Sequence, residues 1–92
     1  MTDSYKALLA EEAGDIHYKN QKWHEAIGAY RAALEYKPDS PELIDKLGVA
    51  LVEVGRFKEA WQFHSKALTI NPHYAKGYNN LGHCLNLMRL YP

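Results

Sequence analysis

Residues 41–74 read PELIDKLGVALVEVGRFKEAWQFHSKALTINPHY, and this stretch decides the fold. Ser40 followed by Pro41 is a helix start, since serine caps free N–H groups and proline tolerates the first helical position. The helix so begun runs to about Val54, where Gly55 suits the left-handed residue that ends a helix. A second helix covers about Phe57 to Ile70. Its residues Phe57, Ala60, Trp61, His64, Ala67 and Leu68 fall at three- and four-residue steps, one apolar stripe along a helix. Asn71-Pro72 then breaks the chain.

Moving outward, the same pattern returns on both sides at one fixed shift. Gly14, Gly48 and Gly82 fall in register, as do Trp23, Phe57 and Tyr91. Ala26 matches Ala60, Ala33-Leu34 matches Ala67-Leu68, and Pro38 matches Pro72. Self-similarity at such a period predicts a repeat solenoid, in which each unit buries its apolar face against its neighbours. Three further helices follow: about Tyr5 to Asn20 with Ser4 or Asp3 as N-cap, Trp23 to Tyr36, and Tyr74 to Met88. The last is expected to turn Tyr78, Leu81, Gly82 and Leu85 inward. Short breaks between them make consecutive helices antiparallel. Gly14 and Gly48 let a neighbouring helix approach, and Ala26 and Ala60 receive it. Gly28 stands off the stripe in mid-helix. Glycine there costs ~1 kcal/mol relative to alanine.

Ninety-two residues predict one small domain. Apolar residues make up 47% and charged residues 24%, which argues against disorder. Eleven basic residues balance 11 acidic ones, so no overall basic field draws nucleic acid or a membrane surface. One cysteine, Cys84, excludes an internal disulfide and a cysteine-based zinc site. The opening Met1-Thr2-Asp3-Ser4 lacks a basic region ahead of an apolar core. No apolar run is long enough to span a bilayer. A cytoplasmic setting is therefore expected.

These residues resemble the tetratricopeptide repeat, a helix–turn–helix unit of the same period. A first unit, about residues 7–40, supplies Ala10, Ala13-Gly14, His17, Ala26, Tyr30, Ala33 and Pro38. A second, about 41–74, supplies Ile44, Leu47-Gly48, Leu51, Ala60, His64, Ala67 and Pro72. Residues 75–92 supply only a first helix, with Tyr78, Leu81-Gly82 and Leu85. The resemblance implies an all-α, right-handed solenoid of about five helices forming a single domain, and a protein-interaction role without cofactor, metal or catalysis.

It also implies where a partner would lie, since the first helix of each unit lines a concave groove. The groove places are held by Glu11, Asp15 and Tyr18, then Glu42, Asp45, Lys46 and Val49, then Lys76, Asn79, Asn80 and His83. With Glu12, Lys19 and Glu53 the groove carries six acids and three bases, so a basic or amphipathic protein segment is expected. Members that hold a chaperone's C-terminal carboxylate use two lysines, two asparagines and an arginine. Here Glu11, Asp15, Lys46, Lys76 and Asn80 occupy those places, and Lys76 alone matches. Such a carboxylate is expected to be repelled.

Other chemistry is weak in the sequence. His17 and His64 stand at aromatic places and read as packing residues. His83 and Cys84 are adjacent, so their side chains diverge by about 100° on a helix. Glu11, Glu12 and Asp15 have no screening from water that would tune an acid. The final helix presents Leu85, Leu87, Met88, Leu90 and Tyr91 without a covering partner. Three readings stay open for that face: association with another copy to form a homo-oligomer, a chain that is part of a longer protein, or the targeting segment of an enzyme.

Overall fold

A computed structural model describes residues 2–92. Five helices follow one another: α1 (Asp3–Lys19), α2 (Trp23–Tyr36), α3 (Pro41–Glu53), α4 (Phe57–Ile70) and α5 (Ala75–Leu90). The helices stack as an all-α solenoid, each packing on its neighbour in the chain, with α3 also reaching α5. The stack is flat, measuring 44 × 29 × 16 Å. Among the described residues no helix is long and apolar enough to cross a membrane.

Helix starts follow the capping chemistry, with one shift. The Ser40 hydroxyl accepts from the Leu43 N–H at 3.3 Å with Pro41 in the first turn, as the sequence predicts. For α1 the cap is Thr2, not Ser4 or Asp3: its hydroxyl accepts from the Tyr5 N–H at 3.3 Å. Thr2 holds the extended backbone that a cap needs, whereas Asp3 and Ser4 already lie in the helix. The fifth helix begins after Tyr74 and runs on past Met88 to Leu90.

The turns within the two units share one geometry. Gly55 ends α3 at φ +81°, and Gln21, at the same place one unit earlier, takes φ +61°. Arg56 N–H returns to Leu51 O at 3.0 Å, and Lys22 N–H returns to His17 O at 2.8 Å. Glycine enters this region without steric cost and glutamine does not, so the first unit carries strain that the second avoids.

The core lies between α2, α3 and α4. Ala26, Ile27, Tyr30 and Ala33 meet Leu43, Leu47, Ala50 and Leu51, with Ala60 and Cys84 closing the cluster. The glycines show how closely the helices pack. A Cβ on Gly14 would stand 2.5 Å from the Tyr30 ring, and one on Gly48 would stand 2.6 Å from the His64 ring. Gly28 is exposed and meets nothing within 4 Å, so its helix-propensity cost has no packing return.

The inward face of α5 differs from the expectation. Gly77 and Cys84 are its buried residues, and Leu81 is half-buried. Tyr78 and Leu85 are exposed, and a Cβ at Gly82 would meet nothing. The reason is geometric: α4 covers one side of α5, and none of the described residues covers the side that α3 presents to α4.

Candidate functional site

The concave side holds a cavity of about 700 Å³. From α1 it is lined by Glu11, Asp15 and Tyr18, and from α2 by Tyr30. From α3 it takes Glu42, Asp45, Lys46 and Val49, and from the start of α5 Ala75, Lys76 and Asn80, with Tyr74 just before. These positions recur at one-unit spacing because the first helices lie side by side, each turning the same face outward.

Polar rungs cross between units. The Lys46 ammonium donates to Glu11 Oε2 at 2.7 Å and to Asp15 Oδ2 at 3.0 Å. One unit later, in the same register, Asn80 Nδ2 donates to Asp45 Oδ2 at 2.7 Å. Three tyrosine hydroxyls add to the pattern: Tyr30 donates to Asp15 at 2.7 Å, Tyr18 to Glu53 at 3.2 Å and Tyr74 to Asp45 at 3.3 Å. Burial, reinforced by these carboxylates, pushes the Tyr74 phenol up to about 12 and the Tyr30 phenol further. Burial opposes the charge of Lys46, but hydrogen bonds and charge from Glu11 and Asp15 outweigh it and hold the ammonium above its usual range.

Asp45, one of the expected groove residues, lines the cavity but is itself buried. It is 4% exposed and its carboxylate is held from three sides, by Asn80, Tyr74 and, at 2.6 Å, His64 Nδ1. An ionised carboxylate only accepts, so Nδ1 carries the proton in this pair. His64 is fully buried and its Nε2 has no partner among the described residues. The aromatic place in the second unit is thus filled by a ring that packs on Gly48 and also ties α3 to α4. The Cys84 thiol, buried nearby, is pushed up by burial and then by the Asp45 charge, which removes thiolate reactivity.

Most of the predicted groove residues line this cavity: Glu11, Asp15, Tyr18, Glu42, Asp45, Lys46, Val49, Lys76 and Asn80. His83 borders a separate cavity of about 160 Å³ with Val49, Val52, Glu53, His64 and Asn80. Asn79 is exposed and borders neither. Tyr30, Tyr74 and Ala75 line the groove without having been expected there. Tyr30 lies on the α2 stripe, and spacing alone does not show that its hydroxyl reaches past the core to Asp15. On α5, Leu85, Leu90 and Tyr91 are exposed as expected, but Leu87 and Met88 are half-buried. Met88 and Tyr91 border a cavity of about 380 Å³ with Phe57, whose ring lies 6.0 Å from that of Tyr91.

The stack and its glycine contacts define a helical-repeat scaffold. A family model described as TPR repeat matches residues 14–55. The chain is similar to the peroxisomal targeting signal receptor of Candida albicans, 33% identical over 75 residues, covering 80% of this chain and 13% of that protein. It is similar to the mitochondrial import receptor subunit TOM70 of Saccharomyces cerevisiae, 36% identical over 74 residues, covering 80% of this chain and 12% of the relative. A solved structure, the first TPR of Spaghetti (RPAP3) bound to HSP90 peptide SRMEEVD, superposes at a TM-score of 0.90 with 28% identity, covering 96% of this chain and 72% of that one. The chain is a tetratricopeptide repeat protein. It spans about one-eighth of the length of the curated relatives it matches.

Proposed function

We propose that this chain is a protein-interaction module that binds an extended or helical segment of another protein in the groove between α1, α3 and α5. The observation that carries the reading is the cavity, where residues of three successive first helices converge on one concave surface. The solved relative bound to a peptide supports a peptide as the ligand class. Binding, rather than catalysis, is the role that such a surface suits.

The ligand is a basic or amphipathic segment. Four carboxylates and two ammonium groups line the cavity, and Glu11 and Asp15 share the single ammonium of Lys46. Among the described residues Glu42 has no ion pair, so its charge is available to a cation. Lys76 is likewise outside every ion pair among the described residues, and an acidic ligand would gain there. The rungs and tyrosines hold the groove side chains in place, so the ordering that binding still requires falls on the end helices.

Fluorescence anisotropy with a Lys/Arg-rich peptide and with SRMEEVD, at low and moderate salt, tests the assignment. The basic peptide is expected to bind with salt-sensitive affinity. Lys76→Glu should tighten it up to about fivefold, the range of an exposed ion pair, with helix content unchanged. Tighter binding of SRMEEVD than of the basic peptide would overturn the charge assignment, and no binding of either would overturn the groove.

A further inference from the structure

The cavity of about 160 Å³ between α3 and α5 opens beside the groove, and the two share Val49 and Asn80 as lining residues. Val49 and Val52 give it apolar walls, and Glu53 and His83 stand exposed at its mouth. His64 of α4 forms its floor and is 0% exposed.

Three free acceptors belong to this lining, one from each of three helices. His64 turns its Nδ1–H to Asp45 at 2.6 Å, so its other nitrogen is the polar edge left to the cavity. In the neutral ring that nitrogen, Nε2, is an acceptor, and it has no partner among the described residues. A buried acceptor without a donor is destabilising, so Nε2 favours a ligand that supplies one. Asn80 spends Nδ2 on Asp45 at 2.7 Å, which leaves Oδ1 to accept. Glu53 accepts from the Tyr18 hydroxyl on Oε1 at 3.2 Å and belongs to no ion pair among the described residues. Glu53 is also the last residue of α3, whose C-terminal end adds partial negative charge.

Acceptors on three helices, with one carboxylate among them, match a cation that only donates and disfavour an anion. A guanidinium offers five N–H donors in a planar fork and no acceptor, whereas an ammonium is a point charge with three. Guanidinium is also the less strongly hydrated of the two, which suits a cavity with a buried floor. The methylene stem of arginine suits walls made of valine.

We propose that this cavity is an arginine pocket. A partner segment lying in the groove sends one arginine side chain between α3 and α5, where its guanidinium donates to His64 Nε2, Asn80 Oδ1 and Glu53. The assignment rests on the groove as a peptide site and sharpens it, because arginine rather than basic charge alone becomes the determinant of binding.

Anisotropy of the full chain with oligoarginine and oligolysine of equal length tests this, together with nitrogen NMR of the histidine rings. Both are run at about pH 8, above the ordinary histidine range. Oligoarginine is expected to bind about tenfold more tightly, the range of one added hydrogen bond from a charged donor. It should also move the His64 Nε2 resonance upfield, as a new donor does, while oligolysine leaves that resonance in place. Glu53→Gln should weaken oligoarginine up to about fivefold, the range of an exposed ion pair, with helix content unchanged by circular dichroism. Equal affinity for the two peptides, or an Nε2 resonance that responds alike to both, would overturn the pocket and leave the groove standing. Binding of neither peptide would overturn the groove reading and the pocket with it.

Discussion

Two glycines in identical register should respond in opposite directions to the same substitution. In Gly48→Ala the new Cβ would lie 2.6 Å from His64 Cε1 and 2.9 Å from both ring nitrogens. Carbon atoms rest about 3.5–4.0 Å apart, so the ring or the helix must move by roughly 1 Å. The ring has no room to retreat, being fully buried and held at 2.6 Å to Asp45. Overpacking of this kind costs about 1–3 kcal/mol. Gly82→Ala meets nothing within 4 Å. It should simply gain the helix propensity of alanine, about 1 kcal/mol. Because that gain is common to both sites, the difference between the variants isolates the contact, about 1–3 kcal/mol. For a domain of this size each kcal/mol moves Tm by about 4–8 °C. Thermal melts followed by circular dichroism should therefore place Gly82→Ala above the parent and at least about 4 °C above Gly48→Ala. Equal melting temperatures for the two would refute the claim that α3 and α4 are spaced by the glycine–histidine contact.

Other perturbations follow from the same contacts. Gln21 holds a left-handed backbone that Gln21→Gly relieves. That variant should gain about 1 kcal/mol in urea titration, and an unchanged midpoint would show that the turn is unstrained. Asp45→Ala strands the buried His64 together with Asn80 and Tyr74. It should cost about 3–5 kcal/mol, whereas a loss under about 1 kcal/mol would deny the pair its structural role. Stability should also fall at alkaline pH. Tyr74 ionises near 10 when unfolded and about 12 when folded, so its contribution is complete below about pH 10 and is lost as pH rises toward 12. Lys46, whose folded value is also raised, acts in the same direction. Urea midpoints should hold level to about pH 10 and then drop, less steeply in Tyr74→Phe; an equal drop in that variant would remove Tyr74 from the account.

Much of this was legible in the chain because packing periodicity leaves a mark on residue spacing. The repeat register located all five helices, and Pro41, Gly55 and Pro72 marked boundaries that the structure keeps closely. Groove positions were legible for the same reason, since a place on a repeated helix maps to a place on a repeated surface. Side-chain partners were not. Asp45 and Lys46 were legible as groove positions because spacing reports the helix face, but the convergence of His64, Tyr74 and Asn80 on one carboxylate was not. The inward face of α5 was misread because α1 and α3 each have a second helix in their own unit, which α5 lacks among the described residues. Gln21 was missed because its left-handed backbone is set by the turn it shares with Gly55, against its own preference.

The central position of α3 sets an order of opening. Seven residues of α3 are buried, against two each in α1 and α5. Amide exchange should therefore be slowest along α3, and the end helices should fray first. The groove draws on all three, which means that its rim is built partly from the least protected segments of the chain. A ligand spanning Glu11, Lys46 and Lys76 clasps both fraying ends to the protected centre. Occupancy then registers in the backbone as slower exchange throughout α1 and α5, well beyond the residues it touches.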